Sequence, residues 1–409
     1  MSHDALINSV EEWLVDQALG SPSIVHMYEE VCERLFTIGI PVVRSMVSWP
    51  TLHPLIEVET AIWQQGQPVV LEQHHHREEE TEQWLRSPLK HLLDSKLGLM
   101  RRRLTGPEAM IDFPLLEDLR QEGYTDYLAM ATEFEIPRAD EDMPSGIMIS
   151  WSSSRSAGFS DTDIGALRRI QRNFAVACRT VIQARIASNI TETYLGRYAG
   201  SEVLAGQIRR GDGVRTKAVI LYSDLRDSTA LAETMEGDDY LALLNDYYEC
   251  SASAAIDAGG EVLDFIGDAV LSIFPLSGSF TFDTAIKAAS AAVTDSIARK
   301  QQLNRARRAG GLGEIRFGIS CSVGEVMFGN IGVPTRLTFS VIGPAVNAAA
   351  RIEKMTKGMI ADALATEPIA RICPENWRSI GYHSLDGMSQ PTELFTWHDG
   401  KQLQDAVVA

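Results

Sequence analysis

A hairpin pattern over residues 260–275 constrains the fold of this chain more than any other feature. Two apolar runs there are joined by the turn-forming pair Gly267-Asp268, as in a short β-hairpin. A further apolar run, residues 218–222, ends at Ser223-Asp224, where the chain becomes polar. The sequence therefore predicts that Asp224 and Asp268 both lie at the edges of β-structure.

Two carboxylates at strand ends suggest a particular chemistry. Carboxylate oxygens are the ligands that Mg²⁺ and Mn²⁺ prefer, and such ions commonly hold the phosphates of a substrate. The pair therefore indicates phosphoryl chemistry on a nucleotide. The alternative for either aspartate alone is a turn or capping residue.

Length and composition are those of a globular protein with two, or three, domains. The chain has 409 residues, 45% hydrophobic and 22% charged. No stretch approaches the ~20 apolar residues that a membrane-spanning helix needs. The first residues show neither a basic nor an apolar signal region, so we expect a cytoplasmic protein.

Charge and cysteine usage exclude further classes. A formal charge of −18 argues against non-specific nucleic-acid binding, but a divalent ion can still screen the phosphates of a nucleotide. The five cysteines are scattered and lack any C-x-x-C spacing, which is typical of buried thiols in a reducing compartment.

The N-terminal half reads as helices followed by an antiparallel sheet and a long closing helix. Helical spacing covers residues 1–20 and 23–36, and strand-like runs follow. Ser160, with Asp163 three residues later, predicts the start of a helix whose apolar positions continue through residue 184. This order resembles a GAF-type sensory domain, whose ligand the sequence does not name. The closing helix either packs on its own sheet or forms a parallel dimer.

The remaining chain divides into a linker, a second domain and a tail. Residues 193–213 are rich in Gly and Arg and are typical of a hinge. From residue 215 the order of strands, helices and a hairpin is α+β, of the ferredoxin-like kind. We expect a GAF-like α/β regulatory domain at 1–187, a signalling linker at 188–214, the α+β domain at 215–398 and a tail at 399–409.

Residues 216–397 resemble the catalytic domain of class III adenylate and guanylate cyclases. The resemblance rests on four motifs in order: Tyr222 to Leu225, the hairpin at 260–275, Arg316 to Gly329, and Phe339 to Arg351. It implies cyclisation of a nucleoside triphosphate, in which the ribose 3′-hydroxyl attacks the α-phosphate and pyrophosphate leaves. Residues 20–212 also resemble the region that precedes the cyclase domain in α-proteobacterial members.

The resemblance assigns roles to residues of the site. It implies that Asp224, Asp268 and the Leu225 carbonyl bind two Mg²⁺ or Mn²⁺ ions, and we assign Ser228 and Thr229 to phosphate binding.

A second set of residues is expected to act on the same substrate from another chain. Asn347 and Arg351 share one face of a helix that begins at Pro344. The resemblance implies that they orient the ribose and stabilise the α-phosphate. Their alternative is a surface Asn and an Arg paired with Glu353, which the apolar stretch around Asn347 disfavours. In this family the two sets come from different subunits, so a homodimer with two equivalent sites is expected.

Several positions depart from the adenylate cyclase pattern: Asp264 in place of a purine-reading lysine, Ser340 in place of Asp or Thr, Asp386 in place of a phosphate-binding Lys or Arg, Asp227-Ser228 in place of Gly-Phe, and Ala361 near a usual Arg. Asp386 near a γ-phosphate would be repulsive. Asp264 can accept hydrogen bonds from guanine N1–H and N2–H₂, which a lysine cannot do.

Three functions follow from these motifs. The first is an adenylate cyclase that takes ATP, the commoner activity among similar bacterial chains. The second is a guanylate cyclase that takes GTP through Asp264 and Ser340. The third is a regulatory module that binds a nucleotide without turnover, which the intact Asp224 and Asp268 disfavour. An alternative to the guanine-binding role is equally open: Asp264 and Asp386 face solvent, and the backbone supplies the contacts to the purine.

Overall fold

The structure is a computed structural model that describes residues 3–77, 80–134, 146–276, 281–386 and 390–398. The chain divides into two compact units, residues 1–190 and 191–409. The tail expected at 399–409 lies outside the described residues. In the ranges given, no helix combines the length and apolar character needed to cross a membrane.

The first unit contains six helices and six strands within its described residues. In chain order they are α1 (His3–Ala18), α2 (Ile24–Thr37), β1 (Arg44–Pro50), β2 (Ile56–Gln64), β3 (Val70–His75), α3 (Glu82–Leu85), α4 (Pro88–Asp94), β4 (Leu99–Arg103), α5 (Pro114–Gln121), β5 (Asp126–Glu133), β6 (Gly146–Ser153) and α6 (Asp161–Leu195).

The six strands form one antiparallel sheet in the order β3-β2-β1-β6-β5-β4. Strand side chains alternate between the two faces of the sheet. One face carries Val47 and Trp151 and packs against α1, α2 and α6. The other carries Tyr127 and Ala129 and packs against α4 and α5. The expected sheet between helices is present, while the relationship to GAF domains stays a prediction.

Helix α6 starts where the sequence predicts. The Ser160 hydroxyl accepts from the Asp163 N–H at 3.2 Å, and the Asp163 carboxylate accepts from the Ser160 N–H at 2.8 Å. Its buried positions, from Asp163 to Ile182, face the sheet of the same unit. Of the two alternatives, the structure thus contains the helix packed on its own sheet.

The segment expected to be a hinge is largely helical. Helix α6 continues to Leu195, and Gly196, at φ +84°, separates it from α7 (Arg197–Leu204). The sequence from residue 183 to 195 contains no glycine or proline to interrupt the helix. The first break therefore falls at Gly196 rather than at residue 188.

The second unit contains α7 and a larger set of elements. They are β7 (Gly213–Leu225), α8 (Ser228–Thr234), α9 (Gly237–Asp257), β8 (Glu261–Ile266), β9 (Ala269–Pro275), α10 (Phe282–Ala309), β10 (Phe317–Val333), β11 (Arg336–Ile342), α11 (Pro344–Met359), β12 (Ala363–Thr366), α12 (Glu367–Ile372), β13 (Trp377–His383) and β14 (Thr392–Trp397).

These strands form one mixed sheet in the order β13-β14-β12-β10-β7-β9-β8, with β11 paired to β10. Only the β10–β12 pair is parallel among the described pairs. Helices α9 and α10 pack on one face through Tyr247 and Ile286. Ala349 of α11 belongs to a separate cluster with Ile220 and Phe328. The unit has the α+β character that the sequence predicts.

Candidate active site

The centre of the second unit's sheet brings the two predicted aspartates together. Asp224 is the penultimate residue of β7 and pairs with Ala269 of β9. Asp268 precedes Ala269, in the turn between β8 and β9. The Leu225 N–H donates to the Asp268 carbonyl at 3.2 Å, and the two aspartate side chains lie within hydrogen-bonding range of each other. The predicted pair is therefore one site.

The turn that carries Asp268 is held from two sides. Gly267 adopts φ +64°, a conformation that glycine reaches without strain. The Tyr248 hydroxyl donates to the Gly267 carbonyl at 2.6 Å, and the Tyr248 ring packs on Phe265 with centroids 4.6 Å apart. Helix α9 therefore fixes the position of the Asp268 backbone.

The two carboxylates compete for a proton in the absence of a cation. Burial, the hydrogen bond with Asp268 and the charge of Asp268 together raise the pKa of Asp224 to about 7, and the charge of Lys354 partly opposes this. A divalent ion between the carboxylates would remove the repulsion.

The donor set fits a substrate-held Mg²⁺ or Mn²⁺. Within the described residues, no group of three or more His, Cys, Asp or Glu side chains could hold a metal ion by itself. Mg²⁺ is usually bound by one or two carboxylates together with substrate phosphates and water. Asp224, Asp268 and the Leu225 carbonyl match that pattern.

A third carboxylate, Glu353 of α11, lies beside this pair and was not assigned to the site from the sequence. Gly318 pairs directly with Asp224, and a Cβ on Gly318 would lie 2.5 Å from the Glu353 carboxylate oxygen. Glu353 is buried and accepts a hydrogen bond from the Thr356 hydroxyl at 3.3 Å. Burial, followed by the charge of Asp224, raises the pKa of Glu353 to about 7. The glycine opposite Asp224 is the sequence signal that points to this close approach.

Asp227, three residues after Asp224, adopts a left-handed conformation, with φ +62°. Its carboxylate pairs with Arg316 at 2.7 Å and with Lys357 at 3.1 Å. A glycine, usual here in the resembling family, takes this conformation freely, whereas the aspartate is held in it by two cations. Ser228 and Thr229, the predicted phosphate-binding residues, form the next turn, at the start of α8.

Arg226 links this loop to the end of α11. Its guanidinium donates to the Ala361 carbonyl at 2.6 Å and to the Thr356 carbonyl at 3.3 Å. Ala361 therefore contributes its backbone, and not its side chain, to the surroundings of the site. Asp386, the other expected phosphate neighbour, is exposed.

Asn347 and Arg351 lie on the face of α11 that points away from its own sheet. The buried positions of this helix are Ala349, Ile352, Glu353 and Thr356. At 100° per residue, Asn347 and Arg351 fall on the opposite side. Asn347 is exposed, and across the described part of the chain neither side chain has a hydrogen bond or ion pair, including to Glu353. The structure thus shares one half of the disfavoured alternative, an exposed Asn347, but not the pairing of Arg351 with Glu353.

The predicted purine-binding residues lie on neighbouring strands. Asp264 follows Leu263 on β8, and Ser340 lies between Phe339 and Val341 on β11. Leu263, Phe339 and Val341 belong to one apolar cluster. Since side chains alternate along β11, Ser340 projects from its other face. On β8 a bulge at Leu263 interrupts the alternation, and Asp264 pairs directly with Leu271, which belongs to the same cluster. Asp264 and Ser340 are both half-buried.

Comparison with known proteins assigns this unit. Residues 214–361 match the family model of the adenylate and guanylate cyclase catalytic domain. This segment is a nucleotide cyclase catalytic domain. The matched residues include both aspartates and the Asn347/Arg351 face of α11.

Two curated relatives are adenylate cyclases. The adenylate cyclase of Anabaena cylindrica is 34% identical over 174 residues, which cover 42% of this chain and 34% of the relative. Adenylate cyclase 1 of Rhizobium meliloti is 25% identical over 185 residues, covering 44% of this chain and 27% of the relative. The chain thus spans about a third of the length of these relatives.

Solved structures with similarity to the chain are also cyclases. The adenylyl cyclase CyaB from P. aeruginosa is 25% identical, with 46% of this chain and 96% of that chain covered and a TM-score of 0.41. The guanylyl cyclase Cya2 is 26% identical, with 45% and 93% covered and a TM-score of 0.39.

Proposed function

We propose that this chain is a class III adenylate cyclase, which converts ATP to 3′,5′-cyclic AMP and pyrophosphate. The observation that carries the proposal is the Asp224–Asp268 pair, whose carboxylates repel each other unless a cation lies between them. The cyclase domain over residues 214–361 and the adenylate cyclases among its relatives support it.

In the proposed reaction, Asp224, Asp268 and the Leu225 carbonyl hold the cations against the triphosphate. Two Mg²⁺ or Mn²⁺ ions, when bound, would acidify the ribose 3′-hydroxyl and neutralise the β- and γ-phosphates. The Asp268 turn, fixed by Tyr248, keeps its carboxylate aligned as the α-phosphate is attacked. Ser228 and Thr229, in the first turn of α8, lie next in the chain to the carboxylate loop and would contact the phosphates.

The site is completed by a second copy of the chain. Asn347 and Arg351 project from the side of α11 opposite its buried face, so they are available to a partner. Arg351 would stabilise charge developing on the α-phosphate, and Asn347 would orient the ribose. A two-fold dimer would contain two such sites.

Regulation by the first unit would reach the catalytic unit through α7. The Glu261 carboxylate, at the start of β8, accepts a 2.6 Å hydrogen bond from the Tyr198 N–H of α7. The Tyr198 ring packs on Phe328 and Phe339, with centroids 5.5 and 6.2 Å apart. A displacement of α7 would therefore shift β8, the strand that carries Asp264.

Asp264 also favours a second candidate, a guanylate cyclase. Its half-buried carboxylate can accept the two N–H donors of guanine, which adenine lacks. The test is product formation by the purified chain with ATP and GTP side by side, in Mg²⁺ and in Mn²⁺. Cyclic AMP as the main product supports the proposal, and cyclic GMP formed from GTP, with no cyclic AMP from ATP, supports the second candidate. No product from either nucleotide, with nucleotide binding retained, would identify a regulatory module.

A further inference from the structure

A row of polar side chains crosses the face of the first unit's sheet that α4 and α5 cover. Arg44 of β1 pairs in register with Ser152 of β6, and Ser152 pairs with Tyr127 of β5. Side chains directly opposite each other on neighbouring strands lie about 4.5–5.5 Å apart at Cβ. Ser150, two residues before Ser152, faces the same side. The four side chains therefore form one contiguous polar patch, flanked by Gln64 of β2 opposite Arg44 and by Arg102 of β4 opposite Tyr127.

The hydroxyl groups of this patch lack hydrogen-bond partners outside it among the residues that the structure describes. Tyr127, Ser150 and Ser152 are 0%, 1% and 0% exposed. Among the described residues the Ser152 hydroxyl has no hydrogen-bond partner. The Tyr127 and Ser150 hydroxyls have none beyond each other, and the Ser150 hydroxyl lowers the pKa of Tyr127 against the dominant effect of burial. Buried polar side chains nearly always have a protein, water or ligand partner. Three buried hydroxyls on one sheet face, with hydrogen-bonding capacity left unfilled by the described residues, therefore indicate a ligand or solvent molecule.

Arg44 distinguishes a ligand from solvent. Its guanidinium is half-buried and has no ion pair or hydrogen bond with any residue that the structure describes. Its charge reaches both Tyr124 and Tyr127, whose pKa values it lowers against the larger effect of burial. A water molecule could satisfy the hydroxyls but would leave this positive charge uncompensated.

The arginines of β4, in the same sheet, each form an ion pair with a carboxylate. Arg101 and Arg103 of β4 contact the buried Asp126 at 2.7 and 3.4 Å, and Arg102 contacts Asp112 at 2.8 Å. Each partially buried guanidinium on β4 thus has a carboxylate. Arg44 is placed comparably but lacks one.

We propose that Arg44, Ser152, Tyr127 and Ser150 bind a small anion that bears a carboxylate or a phosphate group. The guanidinium supplies the charge and two donors in a fork, which suits either group. The three hydroxyls supply further donors from the sheet. The site lies in the first unit, so it is independent of the proposed cyclase activity.

The test is thermal unfolding of the full chain during titration with sodium phosphate or sodium acetate, with sodium chloride at matched ionic strength. A ligand that binds only the folded state raises the melting temperature with its concentration. We expect a saturable rise with one of the two salts, which identifies the group, and direct heats of binding in calorimetry.

Variants at Arg44 and at two control arginines test whether the anion binds at the proposed site. Arg44→Met keeps the length of the side chain and should abolish the saturable rise, whereas Arg86→Met, at an exposed ion pair of α3, should preserve it. Arg351→Ala should also preserve it, which excludes phosphate binding in the candidate active site.

Tyr127→Phe is a second variant that keeps the test valid if Arg44→Met does not fold. Removing the Tyr127 hydroxyl should leave the anion-free protein folded and close to the wild type in stability, while weakening anion affinity about tenfold. The proposal is overturned if neither salt gives a saturable rise, which would indicate buried water only. It is equally overturned if Arg44→Met and Tyr127→Phe bind the anion as tightly as the wild type.

Discussion

Two regions of the second unit differ in how their side chains are held in place: the Asp224–Asp268 pair, and the strands β8 and β11, which carry the residues proposed to bind the base (here the base-reading strands). At the pair, the Tyr248 hydroxyl and the Leu225 N–H both donate to backbone carbonyls of the turn that carries Asp268. Glu353 approaches closely because the residue opposite Asp224, Gly318, has no side chain. On the base-reading strands, Asp264 and Ser340 are half-buried, and within the described ranges their side chains have no hydrogen-bond partner. The proposed metal site is therefore held in place by contacts within one chain, whereas the side chains proposed to bind the base are not.

The largest expected effect is loss of the metal site. Asp224→Ala removes one of the two carboxylates, so product formation should fall by about three orders of magnitude or more. The assay is cyclic nucleotide release with saturating Mn²⁺. Asp283→Asn, an exposed aspartate in the first turn of α10, is the matched control and should keep wild-type turnover. Residual turnover of Asp224→Ala near the wild-type level would refute the catalytic assignment.

Substitution of Asp264 should have a smaller effect, on the preference between ATP and GTP. Asp264→Lys replaces an acceptor with a donor, so the ratio of kcat/KM for ATP to that for GTP should rise about tenfold. Asp264→Asn, which keeps one carbonyl acceptor, should shift the ratio less. An unchanged ratio in both variants would mean that Asp264 faces solvent and that other groups read the base.

The carboxylate pair should also make the metal-free protein sensitive to pH. The folded-state pKa values of Asp224 and Glu353, both about 7, lie above the ordinary values of 3.8 and 4.5. Folding therefore favours the protonated acids, and their contribution to stability is lost as pH rises from about 4 through about 7. Without metal, the melting temperature should fall over this window.

Neutral variants and metal test that origin of the pH dependence. Asp224→Asn and Glu353→Gln should each raise the metal-free melting temperature at pH 8 by a few degrees and flatten the slope. Mn²⁺ should stabilise the wild type at pH 8 but not Asp224→Asn. A wild-type slope retained in both variants would locate the titrating groups elsewhere.

The smallest expected effect concerns the connection of α7 to the base-reading strand β8. Gly196 has φ +84°, and a Cβ there would lie 2.9 Å from the Glu261 carboxylate oxygen. Gly196→Ala should therefore lower the free energy of unfolding by about 1–2 kcal/mol. Gly206→Ala, at φ +96° with open space around it, isolates the backbone strain alone. Equal losses in the two variants would mean that the contact with Glu261 contributes nothing.

The sequence was most informative where local chemistry determines the structure. The Gly267-Asp268 turn and the Ser160 cap depend on short-range backbone preferences, and both are present as predicted. The pairing of Asp224 with Asp268 follows from strand ends that meet in one sheet.

Long-range packing limited the remaining predictions. Glu353 reads as a surface residue of an amphipathic helix, and only the pairing of Gly318 with Asp224 shows why it is buried beside the site. The exposure of Asn347 could not be read from its alanine-rich neighbourhood, because such a stretch does not specify which face of a helix is covered. The linker expected from residue 188 starts inside α6, because no glycine or proline ends this helix before Leu195.

The most direct test of the proposed two-chain site is complementation between inactive variants. Asp224→Ala and Arg351→Ala should each be inactive alone, because each removes one half of every site. Mixed at equal amounts, half of the dimers are heterodimers with one intact site of two, so activity should recover to about a quarter of the wild-type level. A mixture that stays inactive, while size measurements confirm that heterodimers form, would contradict an active site assembled from two chains.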